Sequence, residues 1–408
     1  MAGTTLLLSS DAIGGSGNID SFSSLIAEGV NTFSGSLTSN SPLTVQATSA
    51  MGDASLSVFN LTTDGQVTIA NNDGGTARNA SIVASSFFTN NGNLDFIDFN
   101  GGGTLTVESP FFTNGVSASI NALSRNVVFD GGTGSGFLAN NGTITVSGTN
   151  ILAQDFNQIN NNGLLQISSG RSFIQSGTGI LFTNNSLFIN DSAVLSVPDF
   201  EQIGGTTLLN GSGAILSSLN DVRLSGGTFM GTGQVSTSNF DQSGGLLKPG
   251  ASPGTLTILG NYIMDSAATL VAELGGLNQG LDYDLLSVSG TASLDGELDV
   301  EFFGGFTGTV GDQFEIIAST DVINDFATVN VPMGSTFIAS ADVPATGSYQ
   351  LEIGSVAPPP PPVDPDDEVI DIGTDQVIVL NEYQDDVLIS FVDSEDDDDK
   401  EKRELVCR

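Results

Sequence analysis

Histidine and tryptophan are missing from this 408-residue chain, and cysteine occurs once. Without histidine the chain lacks the commonest general base, proton shuttle and metal ligand near neutral pH. It also lacks the usual partner that activates a catalytic serine or cysteine. Cys407, next to the last residue, has no second cysteine with which to form an internal disulfide or a thiolate zinc site. Cysteine avoidance fits export, although cysteine count alone does not fix a compartment. Nor is there a Gly-x-x-x-x-Gly-Lys-Ser/Thr loop. The triplets Gly177-Thr-Gly179, Gly211-Ser-Gly213 and Gly231-Thr-Gly233 read as turn glycines, because no helical stretch follows to hold a phosphate. No catalytic or cofactor-binding residue is assigned on this basis, and no enzyme activity is expected.

Positive charge is also scarce. Nine Lys plus Arg face 47 Asp plus Glu, for a net charge of −38. Such a surface repels phosphate backbones and anionic lipid, so neither nucleic acid nor a membrane surface is an expected partner. The plain reading of the acidity is that it keeps a strand-rich protein soluble. The sharper reading is divalent-cation binding or a high-salt habitat. Long apolar runs are missing too: no stretch approaches the roughly 20 residues of a membrane-spanning helix. Met1–Ser10 has neither a basic start nor the apolar length of a signal peptide. Repeat patterning is under way by about residue 35, so the chain is expected to be the C-terminal part of a longer export substrate.

What is present is 39% apolar residues, 51 Gly and 25 Phe, with Val, Ile and Thr runs punctuated by Gly, Asn, Asp and Ser. That composition supports a sizeable core and short strands joined by tight turns. Phe156-Asn-Gln-Ile-Asn-Asn-Asn-Gly163, Phe200-Glu-Gln-Ile-Gly-Gly205 and Phe240-Asp-Gln-Ser-Gly-Gly245 repeat one phrase. Weaker copies, Leu181-Phe-Thr-Asn-Asn185 and Val222-Arg-Leu-Ser-Gly-Gly227, fall near the midpoints. The period of about 20 to 22 residues predicts a stacked solenoid. Over residues 12 to 260, strands such as Thr104–Val107, Thr143–Val146, Leu164–Ile167 and Leu187–Ile189 recur. Asn-Asn-Gly corners at 90–92, 140–142 and 161–163 suggest positive φ and hydrogen-bonded Asn ladders. About 11 or 12 coils would give a rod on the order of 55 Å long. Hairpins in a β-sandwich are the rival, but a sandwich would not repeat a whole phrase at this interval. The expected fold is therefore all-β: a right-handed parallel β-helix with a β-rich C-terminal cap and an acidic, largely disordered tail.

Four regions follow. Residues 1–246 are coils, and 247–356 are terminal coils plus a cap that closes the open end. Residues 357–365 form a Pro-rich, extended linker. Residues 366–408 form the acidic tail, in which Val377–Leu380 and Val387–Val392 suit a hairpin or a partner's sheet edge. The run Asp393–Asp399 reads as a solvated stretch.

Few residues carry candidate chemistry. Asp282, Asp284, Asp295, Glu297 and Asp299 are the densest acidic group before the tail, and oxygen ligands suit calcium. The competing reading is the wet face of an alternating strand. A sugar-cleaving site would need paired carboxylates with an Arg or Lys. Before the tail only Arg78, Arg125, Arg171, Arg223 and Lys248 are positive. Arg125 with Asp130, and Arg223 with Asp221, fit surface ion pairs at least as well. Thr104/Thr106, Thr143/Thr145 and Thr255/Thr257 hint at a hydroxyl array but do not recur in every coil.

The phrase Pro249-Gly-Ala-Ser-Pro-Gly-Thr-Leu256 resembles the distal passenger region of bacterial autotransporter and filamentous-haemagglutinin-like exoproteins. Tyr283-Asp-Leu-Leu-Ser-Val-Ser-Gly290, Leu294-Asp-Gly-Glu-Leu298 and Gly311-Asp-Gln-Phe-Glu-Ile-Ile317 share that likeness. The detailed match covers roughly 247–330. The resemblance implies a secreted or surface-displayed β-helix of a Gram-negative bacterium, with a role in adhesion or surface structure. The implied partners are an outer-membrane translocator and a host or environmental glycan or protein receptor. Too few residues follow the cap for a membrane barrel, which points to the two-partner-secretion type, whose pore is a separate chain. The alternative is a β-helical polysaccharide lyase or hydrolase.

Overall fold

The structure, a computed structural model, describes residues 5–354 apart from 16, 20–23, 74, 100–101, 124–125, 133–134, 149, 177–180, 251–252, 334–335 and 342–346. Beyond 354 it describes Val369–Asp371, Gln376–Tyr383, Asp386–Asp393 and Glu404–Cys407. No helix occurs among the described residues. The chain separates into two units, Met1–Gly354 and Ser355–Arg408.

In the first unit the chain winds as a parallel β-solenoid, three strand segments to a coil. Ala80–Asn90 supplies two of these segments, bending at a register shift between Ala84 and Phe87, and Asn93–Asp98 supplies the third. Coils stacked in register make three parallel sheets. The first runs from Thr5–Ser9 to Thr328–Asn330. The second runs from Ala12–Ile13 to Gln313–Ala318, and the third from Gly17–Ile19 to Asp321–Ile323. The strands read from sequence are present as Leu105–Glu108, Thr143–Val146, and parts of Phe156–Ile167 and Leu181–Asn190.

Strict alternation buries every second side chain, as a strand with one face on a core requires. Inward aromatic rings stack from coil to coil. Phe88 and Phe112 lie 5.1 Å apart and nearly parallel, while Phe229 and Phe240 meet edge to face at 5.2 Å. Such pairs add about 0.5–1.5 kcal/mol beyond the area they bury.

The repeat phrase maps onto the third sheet with one correction. Phe200 pairs with Val222, and Val222 with Phe240, so those copies and the weaker ones between them are equivalent. Phe182 stacks on Phe200 in the same column, at 5.9 Å. Ile159, not Phe156, is their structural counterpart, because Ile159 pairs with Phe182 and Phe156 enters before a register shift. The coil spacing is 22 residues at Phe200↔Val222 but 27 at Leu61↔Phe88.

The expected Asn ladder is present inside the corner between the third and first sheets. Asn90, Asn114, Asn140 and Asn161 each donate Nδ2 to the next Asn Oδ1, at 2.9, 2.8, 2.6 and 2.8 Å, ending on Asn184. All five are buried. The same amides also donate to strand carbonyls, for example Asn114 to Thr143 O at 3.2 Å and Asn140 to Leu164 O at 3.0 Å. Both amide protons are thereby satisfied, which a buried site demands. At Gln202 and Gln242, each followed by a three-residue corner, Gln takes the place of Asn and reaches the next coil. Gln202 Nε2 donates to Thr228 O and Gln242 Nε2 to Thr269 O, both at 2.9 Å. The expected positive φ also belongs to these longer corners, at Gly205 (59°) and Gly245 (69°). The Asn-Asn-Gly corners do not use it. A Cβ on Gly163 would instead meet the Gly142 carbonyl oxygen, so glycine there serves close approach.

At the C-terminal end of this unit, Gln313–Ala318 is covered by the antiparallel strand Ser348–Ile353, which pairs in turn with Phe337–Ala341. In the second unit, Gln376–Tyr383 and Asp386–Asp393 form the hairpin suggested by its two apolar runs, flanked by Val369–Asp371 and Glu404–Cys407. Residues 357–365, and the rest of the tail expected to be largely disordered, including 394–399, lie outside the described residues.

Candidate functional site on the outer face of the third sheet

Alternation that sends Leu61, Phe88, Phe112 and Leu138 into the core sends their neighbours outward. Parallel pairing in register then collects those neighbours into columns. One outward column is Asn60, Phe87, Phe111, Phe137 and Gln158 on successive coils. The column two residues along each strand is Thr38, Thr62, Thr89, Thr113 and Ala139. Phe87 and Phe111 are 38% and 56% exposed, and Phe59, at the bend beside Asn60, is 52% exposed, unusual figures for phenyl groups. The four threonines and Phe137 are half-buried. Among the described residues, ring–ring contacts join buried and cap-end aromatic groups, and these outward phenyls enter none.

Further along the same face the chemistry changes. Glu201, Arg223 and Asp241 occupy one column, and Asp221 and Asn239 pair in the next. Arg223 Nη1 pairs with Asp199 Oδ1 at 3.6 Å, not with Asp221 as sequence proximity suggested. Asp221 Oδ1 accepts from Asn239 Nδ2 at 3.0 Å, and Asn239 Oδ1 from Asn261 Nδ2 at 3.1 Å. Partial burial holds the Asp241 carboxyl above its usual range; the Asp221 and Asp265 charges add to this and the Arg223 charge opposes it.

The five calcium candidates scatter. Asp282 accepts from the backbone and side chain of Asn278, at 3.2 and 2.5 Å, and Asp295 from Gly296 N at 2.7 Å. Glu297 and Asp299 share one partner, the Asn330 side-chain amide, which lies 2.7 Å from Asp299 Oδ1. Asp284 is buried apart from them, accepting from Gly254 N at 2.8 Å and Glu273 N at 2.9 Å. Burial pushes its carboxyl up to about 7, a repulsion from Glu273 adds to that, and the two N–H donors and Lys248 pull the other way. Among the described residues no three His, Cys, Asp or Glu side chains converge to hold a metal ion.

The other basic residues have local roles. Arg78 pairs with Asp73 at 3.0 Å, Lys248 with Glu301 at 3.9 Å, and Arg171 donates to Ser147 O at 3.2 Å. Arg125 lies outside the described residues; Asp130 accepts from Gln154 at 2.6 Å. The Thr-x-Thr pairs fall on different sheets, with Thr143/Thr145 on the first and Thr106 and Thr255/Thr257 on the second. The Thr column that does form was not singled out from sequence.

Set against known proteins, the chain matches no family model and no curated protein sequence. Its surface must speak for it. A flat face bearing aligned phenyl, hydroxyl and amide groups suits recognition by many weak contacts, whereas an enclosed pocket would suit turnover.

Proposed function

We propose that this chain is an adhesin-like exoprotein, secreted or held at the surface of a Gram-negative bacterium, that mediates attachment or builds surface structure. One observation carries the reading: outward-facing phenyl and hydroxyl columns, with Phe87 and Phe111 exposed, run in register along one outer sheet face. Neighbouring coils present similar small contacts, as at Phe87/Thr89 and Phe111/Thr113, and a partner that spans several coils gains avidity from contacts that are individually weak. The likeness of roughly 247–330 to exported passenger regions supports passage through a separate outer-membrane translocator. A host or environmental glycan or protein is the receptor in this reading. No helix among the described residues is long and apolar enough to cross a membrane.

The full chain, coupled to beads, should raise bead retention on host cells or environmental surfaces severalfold over beads bearing an unrelated acidic protein. Equal retention would reduce the molecule to a spacer. A second reading, a β-helical polysaccharide lyase or hydrolase, draws support from Arg223 amid Asp199, Glu201, Asp221 and Asp241. Release of new reducing ends from polysaccharide, abolished by Asp241→Asn, would favour it.

A further inference from the structure

We infer that the phenyl–threonine strip of the third sheet is a binding site for an uncharged polysaccharide chain. The inference rests on the attachment reading and specifies its surface and its ligand class. The strip comprises Phe87, Phe111 and Phe137 beside Thr62, Thr89 and Thr113.

In the rungs Phe87/Thr89 and Phe111/Thr113 an apolar face and a hydroxyl stand two residues apart on one strand, roughly 7 Å along it, and Asn60/Thr62 and Phe137/Ala139 continue the strip on either side. Sugar rings carry the same pair of features, an apolar C–H face and hydroxyls at the rim. A bare phenyl face can stack on the first, and a threonine hydroxyl can both donate to and accept from the second. Threonine is β-branched and stiff at χ1, so a column of them loses little freedom on binding. Asn60 and Gln158, at the two ends of the phenyl column, add amide groups. The pattern repeats at the coil spacing of about 4.8 Å. A repeating surface is matched by a repeating ligand.

Charge narrows the partner. The chain carries a net −38, yet the two columns hold no charged residue from Thr38 and Asn60 to Gln158 and Asn160. The first carboxylates on this face are Asp199 and Glu201. An anionic polymer finds no cation on the strip and meets the repulsion of the whole molecule. A second copy of the chain would bring −38 against −38.

The test uses the full chain with soluble hexamers of β-1,4-linked glucose, mannose and N-acetylglucosamine, and hexagalacturonate as the anionic control. Calorimetry should detect binding of at least one uncharged hexamer and much weaker or no binding of hexagalacturonate. Combined Phe87→Ala, Phe111→Ala and Phe137→Ala should weaken that binding tenfold or more. Combined Thr62→Val, Thr89→Val and Thr113→Val, which keeps volume and so guards against misfolding as the cause, should weaken it severalfold. Glu301→Gln, on the first sheet, should leave it unchanged. Binding insensitive to both strip variants, or preference for the anionic hexamer, overturns the inference. So does strip-dependent self-association in sedimentation, which would make the face an interface between copies. Bead attachment that persists without any hexamer binding defeats the saccharide assignment but leaves the attachment reading standing; loss of attachment in the wild type defeats both.

Discussion

Asn140 Nδ2 lies 2.6 Å from Asn161 Oδ1, with both side chains sealed inside the corner between the third and first sheets. Asn140 also accepts from Asn114 and donates to Leu164 O. Replacing it with Ala orphans one donor and two acceptors without admitting water. Each buried unsatisfied group costs about 1–3 kcal/mol, so Asn140→Ala should destabilise the solenoid by roughly 3 kcal/mol in urea unfolding. Asn140→Leu should be no better, since the neighbours' polar atoms stay orphaned. A change below about 0.5 kcal/mol would show that the ladder adds little net stability.

Asp284 ties two neighbouring segments to its own coil through the backbone N–H groups of Gly254 and Glu273. Its carboxyl sits at about 7 in the folded protein, raised from 3.8. A carboxyl raised by folding contributes stability that is fully present below about pH 4 and is lost as pH rises through about 7. Acidification from pH 8 to pH 5 should therefore stabilise the fold. Glu108, raised by burial and by the Asp130 charge, acts in the same direction. Asp284→Asn cannot titrate, so the stability difference between wild type and variant should shift in favour of wild type as pH falls from 8 to 5. Thermal melts at unit pH steps measure this, and pH-independent differences would refute it.

Gly205 has φ of 59°, and a Cβ there would overlap the Asn185 carbonyl oxygen of the preceding coil. Gly170 has a similar φ of 69° but open space around it. Gly170→Ala should cost about 1 kcal/mol from backbone strain alone. Gly205→Ala should cost clearly more, because the coil must also move. Matched urea denaturation of the two variants separates strain from collision, and equal losses would show that the coil yields freely.

Much of the coil architecture was readable because alternation and corner residues are local signals. Thr143–Val146 and the Asn ladder followed from them directly. The phrase at Phe200 and Phe240 stood out because a whole run, Phe-x-Gln-x-Gly-Gly, recurs there, although the coils between are 22 and 18 residues long. The outward columns carry no such repeated phrase and were hidden. Thr38, Thr62, Thr89 and Thr113 lie 24, 27 and 24 residues apart, so no fixed period brings them into line. Extra residues between Asn71 and Ala80, together with the register shift between Ala84 and Phe87, absorb the longer coil and restore the alignment. The Arg223 partner was misread likewise, since stacking sets Asp199 of the preceding coil beside it.

That partnership yields a last expectation. Arg223 and Asp199 are 38% and 18% exposed and 3.6 Å apart, a geometry worth less than about 1 kcal/mol in water. Arg223→Ala should therefore barely change the unfolding midpoint. Its effect on the neighbouring carboxyl should be plainer. The Arg223 charge is the one influence that lowers the Asp241 pKa, against burial and the charges of Asp221 and Asp265. Removing it should move the Asp241 titration further upward, readable by carboxyl-carbon NMR as a midpoint at higher pH than in wild type. Raised salt should shrink the difference, because exposed charges are screened within about 8–10 Å at physiological ionic strength. An unchanged midpoint would mean that Arg223 spends its charge on Asp199 alone, and the carboxylates around it would lose the coupling on which an acid–base role for that end of the sheet depends.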